Sequence, residues 1–247
     1  MLKKQKISKN LSDSNHSFMN HSLEKNNSLP ILSGVFVAIL LISTITSTKI
    51  IDIGSFSLDG GTLLFPFSYI FGDILTEVYG YKNTRRIIWT GIFSMILFSL
   101  LIMLIGILPA NIDWTNQNAS DAILGTTPRI VIASVIAFFI GEFSNSYILA
   151  KMKIWMKGRK LYLRTIGSSI VATGLDTVIF ILIAFSGIFP PELIVTLIVS
   201  NYVWKLGTEI MMTPITYRII GYLKKKDEVD VYDTETKFNP FILAEKK

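Results

Sequence analysis

Several of the long apolar stretches in this sequence contain acidic, basic or amide side chains, which are expensive to place in a membrane. An ionisable group at bilayer depth costs at least ~2.5–3.5 kcal/mol, so a whole set of them needs a functional or structural reason. Within each stretch they recur every three or four residues, which puts them on one helix face. The set comprises Asp73 and Glu77, with Tyr69 one turn earlier on the same face, then Glu142 and Asn145, then Asp176, and finally Asn201, Lys205 and Glu209.

The depth of these groups indicates a binding site. At ~1.5 Å per residue from the helix ends, several of them come within roughly 5 Å of the bilayer midplane, namely Glu142, Asp176, Asn201 and Lys205. Side chains facing lipid would lose their solvation, so we expect these groups to point into the helix bundle. Polar groups that converge at mid-depth are typical of the substrate site of a carrier.

A structural explanation of the same residues stays open. Buried ion pairs can fix the register of helices, with Lys205 bonded to Asp176 or to Glu142. However, the acids outnumber Lys205, and uncompensated buried carboxylates are a poor source of stability. We therefore expect the surplus acids to meet water, a proton or the N–H groups of a ligand.

Composition and hydropathy show which elements must position these residues. Half of the 247 residues are apolar and only 17% are charged, too few charges for the surface of a soluble domain. Apolar residues come in blocks of about 20, which predicts an all-α membrane protein, a bundle of six transmembrane helices. The predicted helices are residues 30–51, 62–79, 86–108, 128–151, 165–188 and 192–223.

These helices form one predicted transporter domain, residues 29–223. Residues 1–28 are rich in lysine, serine and asparagine and are expected to be a disordered cytoplasmic tail. Residues 224–247 are predicted to be a second cytoplasmic tail.

Lysine and arginine positions predict the orientation. One set of segments is rich in basic residues: the N-terminal tail and residues 82–86, 151–164 and 218–226. The loops of the other side contain none, at residues 52–61, 109–127 and 186–191. Lys49 and Arg129 are near that second face, each inside a helix end. The positive-inside rule then places both termini in the cytoplasm of a multi-pass protein of the cell inner membrane.

Residue types exclude several other functions. The sequence has no cysteine, and its two histidines, His16 and His21, fall in the N-terminal tail, so we expect no metal site and no cofactor. Basic residues flank apolar spans rather than forming a duplex-reading element, which argues against nucleic acid as a partner. A membrane enzyme acting on lipid-linked substrates would have only carboxylates for catalysis, so we expect no enzyme activity. Without a GxxxxGK[ST] motif, the chain is not expected to hydrolyse ATP.

Small residues on helix faces predict close packing. Ala133, Ala137 and Gly141 form one ridge at four-residue spacing, and Gly34 with Ala38 forms another. Such ridges most simply mark contacts between helices of the bundle. The first would also allow a partner protein to dock.

A long motif then brings in a resemblance to a known family. Residues 60–91 read GGTLLFPFSYIFGDILTEVYGYKNTRRIIWTG, which resembles the PxxYxxxDxxxEvYGyxxxR signature of the queuosine precursor transporter family, also called the vitamin uptake transporter family. The matching positions are Pro66, Tyr69, Asp73, Glu77, Tyr79, Gly80, Tyr81, Arg85 and Arg86. Similar stretches begin at Gly141, Arg164 and Asn201, so the resemblance extends from the first helix to about residue 223.

The resemblance implies a fold and a cargo. The family is similar to the substrate-binding subunits of energy-coupling-factor transporters, which are six-helix membrane proteins. Its implied cargo is a deazapurine such as 7-cyano-7-deazaguanine, imported for queuosine synthesis or salvage. A guanine-like ring offers N–H donors to a carboxylate and a carbonyl to lysine. Its faces need aromatic stacking, available from Phe67, Tyr69 or Trp204.

Two modes of action follow from this reading. The chain could carry the cargo by itself, since six helices can enclose a small ligand and no oligomer is required. Alternatively, it is a binding subunit that needs separate energising proteins.

Overall fold

The computed structural model describes residues 28–124 and 127–242, most of which are helical. In this part of the chain, seven α-helices run in the order α1 (Ser28–Thr46), α2 (Phe65–Tyr79), α3 (Tyr81–Gly106), α4 (Gln117–Leu124), α5 (Thr127–Trp155), α6 (Leu161–Phe185) and α7 (Pro191–Lys226). The tail predicted at residues 1–28 lies outside the described residues, apart from Ser28, which begins α1.

The bundle is helical, as predicted, but its members are unequal. In the described residues, five stretches are long and apolar enough to cross a membrane, and these contain α1, α3, α5, α6 and α7. Helix α2 has 15 residues and spans about 22 Å, short of a hydrocarbon core of ~30 Å. Because α1, α3, α5 and α7 pack around it, 12 of its residues are buried. Helix α2 is therefore the short, enclosed helix of the bundle.

An antiparallel hairpin interrupts the predicted all-α fold. Helix α1 ends at Thr46, and strands β1 (Ile50–Ile53) and β2 (Phe56–Asp59) pair with Ile50 opposite Asp59. The prediction that the first helix runs to residue 51 was wrong, because the isoleucines of β1 continue the hydropathy of α1. Gly54 turns the chain with a positive φ of 61°. A 3₁₀ helix, Gly60–Leu63, then leads into α2.

The small-residue ridge of α5 is buried between helices. Ala133 and Ala137 are fully buried, and they belong to an apolar cluster with Ile181 and Ala184 of α6. A Cβ at Gly141 would lie 2.8 Å from Tyr69 Oη and 2.9 Å from Asp176 Cβ, so only glycine permits this approach. The ridge therefore holds α5 against α6 and offers no surface to a separate protein.

Residues 227–242, called here the C-terminal segment, fold back onto α2 and α3 without regular structure. Val231 N donates to Val78 O (3.2 Å), and Tyr81 N donates to Asp233 Oδ2 (2.9 Å). The side chains of Arg85 and Trp89 donate to backbone carbonyls of the segment. The predicted C-terminal tail is therefore packed against the bundle over its described residues, and α7 extends to Lys226.

Candidate functional site

Helices α2 and α5 bring together the first group of buried polar side chains. Asp73 of α2 accepts a hydrogen bond from Asn145 Nδ2 of α5 at 2.8 Å. Glu142 lies one turn before Asn145 on the same face of α5, and a Cβ at Gly72 would lie 1.9 Å from Glu142 Oε1. The glycine is therefore needed for the carboxyl group to approach α2.

Two acceptor atoms in this group have no hydrogen-bond partner in the part of the chain that the structure describes. They are Glu142 Oε1 and Asn145 Oδ1, and both are buried. Buried acceptors without donors are rare in native proteins because each costs about 1–3 kcal/mol. A pair of such acceptors on one helix face is suited to receive N–H groups of a ligand.

The second group centres on Lys205 of α7. Its Nζ lies 2.9 Å from Asp176 Oδ2 of α6, and both side chains are buried. The same Nζ is 4.2 Å from the centre of the Phe65 ring. Of the two pairings that the sequence left open for Lys205, the structure therefore has the one with Asp176.

Asn201, Lys205 and Glu209 share one buried face of α7, as their spacing predicts. Glu209 accepts a hydrogen bond from Ser169 Oγ of α6. Asn201 contacts Thr62 Oγ1 through its side-chain oxygen, and its Nδ2 donates to Leu197 O (2.7 Å). Helix α7 thus contributes three polar groups to the bundle interior over a length of about 12 Å.

Sequence reasoning missed an acid beside Asn201. Asp59 ends β2 and caps the 3₁₀ helix, accepting from Thr62 N (3.1 Å) and from Ser47 Oγ (2.8 Å). Its position was assigned to an extracytoplasmic loop, yet the side chain is buried. The available signal was the sequence Asp-Gly-Gly-Thr, since aspartate is a preferred N-cap residue.

Glu77 lies in a different setting from Asp73. Its carboxylate is 2.6 Å from Arg164 Nη1, 2.7 Å from Lys224 Nζ and 3.6 Å from Lys153 Nζ. Asp230 of the C-terminal segment binds the same two lysines. We call these five residues the Glu77 cluster. Because ion pairs account for its burial, a role for Glu77 in substrate binding stays a prediction.

The three aromatic residues predicted for stacking are placed differently. Tyr69 is buried, and its ring centre is 5.6 Å from that of Phe65. Sequence reasoning did not identify Phe65 as a candidate site residue. Trp204 is half-buried and packs edge-on against Phe56 of the hairpin. Phe67 is 38% exposed on the outer side of α2, so its ring is not enclosed with the buried acids.

A small enclosed cavity adjoins Lys205. Its lining residues include Ser47, Asp59, Thr62, Phe65, Met95, Ser134, Phe138, Phe180 and Lys205. The volume is about 10 Å³, enough for roughly one water molecule. A purine-sized ligand does not fit this volume, so its entry requires the surrounding helices to separate.

Comparisons with known proteins converge on one family. The sequence model of the family described as "Putative vitamin uptake transporter" matches residues 59–219. A curated protein of Bacillus subtilis (strain 168), named "Probable queuosine precursor transporter", is 31% identical over 161 residues, which cover 64% of this chain and 69% of the relative. No solved structure matches the chain significantly. The buried polar groups from Asp59 to Glu209 all fall within the matched region, whereas Lys224 and the C-terminal segment lie beyond it.

Proposed function

Because the chain belongs to the vitamin uptake transporter family, also called the queuosine precursor transporter family, we propose that it imports a deazapurine precursor of queuosine. The cargo class covers 7-cyano-7-deazaguanine and related deazapurines. The name of the Bacillus subtilis relative and the multi-pass helical bundle both support this function. We place the protein in the cell inner membrane, with both termini cytoplasmic, on the positive-inside rule.

The observation that carries the proposal is the pair of acceptors on α5 that have no donor among the described residues, in a bundle interior where α2, α6 and α7 also bury polar groups. Asp73 can accept N–H bonds from the edge of a guanine-like ring, and Glu142 and Asn145 offer further acceptors to a donor group elsewhere on the cargo. Tyr69 and Phe65 provide aromatic faces on the neighbouring helix α2, where stacking is worth ~1–3 kcal/mol per base. The ammonium group of Lys205, which is paired with Asp176, can donate a hydrogen bond to the ring carbonyl of the cargo.

Uptake of a labelled deazaguanine by cells lacking their own route tests the proposal, with this chain supplied alone. We expect accumulation above that of cells carrying an empty vector. The same experiment tests the alternative of a binding subunit, because such a subunit needs energising proteins and would give no uptake alone. Uptake that appears only when those proteins are added would favour the alternative.

A further inference from the structure

The buried polar groups carry more acid than base. Asp73, Glu142, Asp176 and Glu209 are all buried, and Lys205 is the one basic side chain that forms an ion pair with any of them in the described residues. That ion pair is with Asp176. The remaining three carboxyl groups have neutral partners or none.

These three carboxyl groups also lie within electrostatic range of one another. Asp73 interacts electrostatically with Glu209 and with Glu142, and Glu142 interacts with Asp176 and Glu209. Several negative charges in one buried site repel each other, and a positive charge placed among them removes the repulsion. Asp73 accepts its hydrogen bond from an amide and Glu209 accepts from a hydroxyl, and neither donor brings a charge.

The free acceptors show where a positive group would sit. Glu142 Oε1 and Asn145 Oδ1 are three residues apart on α5 and have no donor among the described residues. A primary ammonium group carries three N–H donors and no acceptor, so it can satisfy both atoms and compensate the charge of Glu142. A neutral nitrile carries no donor and can satisfy neither atom.

We propose that Glu142 and Asn145 form a seat for a protonated amine, so that the site prefers a flat heterocycle bearing an alkylammonium group over its neutral analogue. This inference rests on the proposed function and narrows it to the charge of the cargo. Glu142 is the residue that determines this specificity, because among the described residues it is the buried acid whose oxygen has no hydrogen-bond donor.

Uptake of two labelled compounds at equal concentration and fixed pH tests the seat. The cationic probe is 7-aminomethyl-7-deazaguanine, and the neutral probe is 7-cyano-7-deazaguanine. We expect the cation to be preferred about tenfold, since hydrogen bonds to charged groups contribute more than those between neutral groups. This comparison uses the unmodified chain, so it does not depend on whether a variant folds.

The variant Glu142→Gln removes the charge and keeps the shape. We expect it to lower uptake of the cation about tenfold relative to uptake of the neutral compound. Glu142→Asp should keep the preference, because it keeps the charge. The matched control is Glu192→Gln, at an exposed position at the start of α7.

The outcomes separate this inference from the proposed function. Equal uptake of both compounds, or an equal loss of both in Glu142→Gln, would overturn the amine seat and leave deazapurine import standing. Uptake of the neutral compound that requires Na⁺ would assign the site to an inorganic ion and also overturn the seat. Absence of uptake of either compound, with the protein present in the membrane and energising proteins also supplied, would overturn both proposals.

Discussion

At the scale of single residues, the buried acids differ in what surrounds them. Within the described residues, Asp176 is paired with a lysine, Glu77 with three basic side chains, and Asp73 only with an amide. Sequence reasoning identified these residues because charged side chains inside apolar stretches are conspicuous. It could not tell which acids form ion pairs, because the basic partner of an acid lies up to 147 residues away in the chain.

Asp73 offers a direct test at this scale. Asp73→Asn keeps an oxygen for the Asn145 amide and removes the charge, so we expect folded protein that does not take up the cargo. Uptake normalised to the amount of protein in the membrane measures this. Asp113→Asn, in an exposed loop, is the matched control. Normal uptake by Asp73→Asn would show that Asp73 has a structural role.

Lys205 tests whether the pair with Asp176 supports the fold. Lys205→Met leaves a buried carboxylate without its partner, which typically costs about 3–5 kcal/mol. We expect a lower melting temperature for the purified protein in detergent, and recovery of most of the loss when Asp176→Asn is added. Lys225→Met, at an exposed position, should melt like the unmodified protein. If the double variant is no more stable than Lys205→Met, the two residues do not act as a pair.

At the scale of elements, hydropathy predicts the long helices and misses the segments that close the two ends of α2. Strand β1 has the same apolar composition as the end of α1, and periodicity cannot separate a four-residue strand from helix. The C-terminal segment has no periodic pattern at all. Its position depends on hydrogen bonds to Arg85 and Trp89, which no local signal reveals.

Asp230 contributes ion pairs with Lys153 and Lys224 to the attachment of the C-terminal segment. Burial alone would raise the pKa of this carboxyl group, but hydrogen bonds from Lys153 and Lys224 hold it below its ordinary value. Because the pKa of Asp230 is lower in the folded protein than in an unfolded chain, its ionised carboxylate stabilises the attached segment at pH values above the ordinary carboxyl pKa. This contribution disappears as the pH falls through the lowered value. We therefore expect the segment to stay attached at neutral and mildly acidic pH.

Asp230→Asn should loosen the segment at neutral pH. The side chain is 43% exposed, so we expect a loss of about 1 kcal/mol or less. Faster protease cleavage within residues 227–242 of the purified protein would report this loosening. Glu235→Gln, at an exposed position of the same segment, should be cleaved at the original rate. Equal cleavage of both variants would mean that Asp230 does not hold the segment.

At the scale of the whole molecule, charge asymmetry predicts the orientation in the membrane. Arg129 is an exception near the face without basic residues. Its guanidinium group donates to Ile183 O (2.8 Å) and to Ser186 O (2.6 Å) at the end of α6. A basic group beside the last carbonyls of a helix is favourable, so a structural role accounts for its position.

Reporter fusions at residue 118 and at the C-terminus test the orientation. We expect the reporter at residue 118 to be outside the cytoplasm and the reporter at the C-terminus to be inside it. A fusion in the loop near residue 158, which the same rule predicts to be cytoplasmic, serves as an internal reference. An exported C-terminus would rule out six crossings with both termini cytoplasmic.

The Glu77 cluster also has a consequence for how the chain is made. Glu77 and Lys224 are 147 residues apart, and at ~5–20 residues per second the ribosome needs roughly 7–30 s to synthesise that interval. Lys153 and Arg164 follow Glu77 by 76 and 87 residues, so for roughly the first half of this time α2 exists without any of the three basic groups that pair with its acid. The cluster is complete only when Lys224, at the end of α7, emerges. Premature termination before Lys224 leaves the cluster incomplete, which distinguishes an unfinished chain from a finished one.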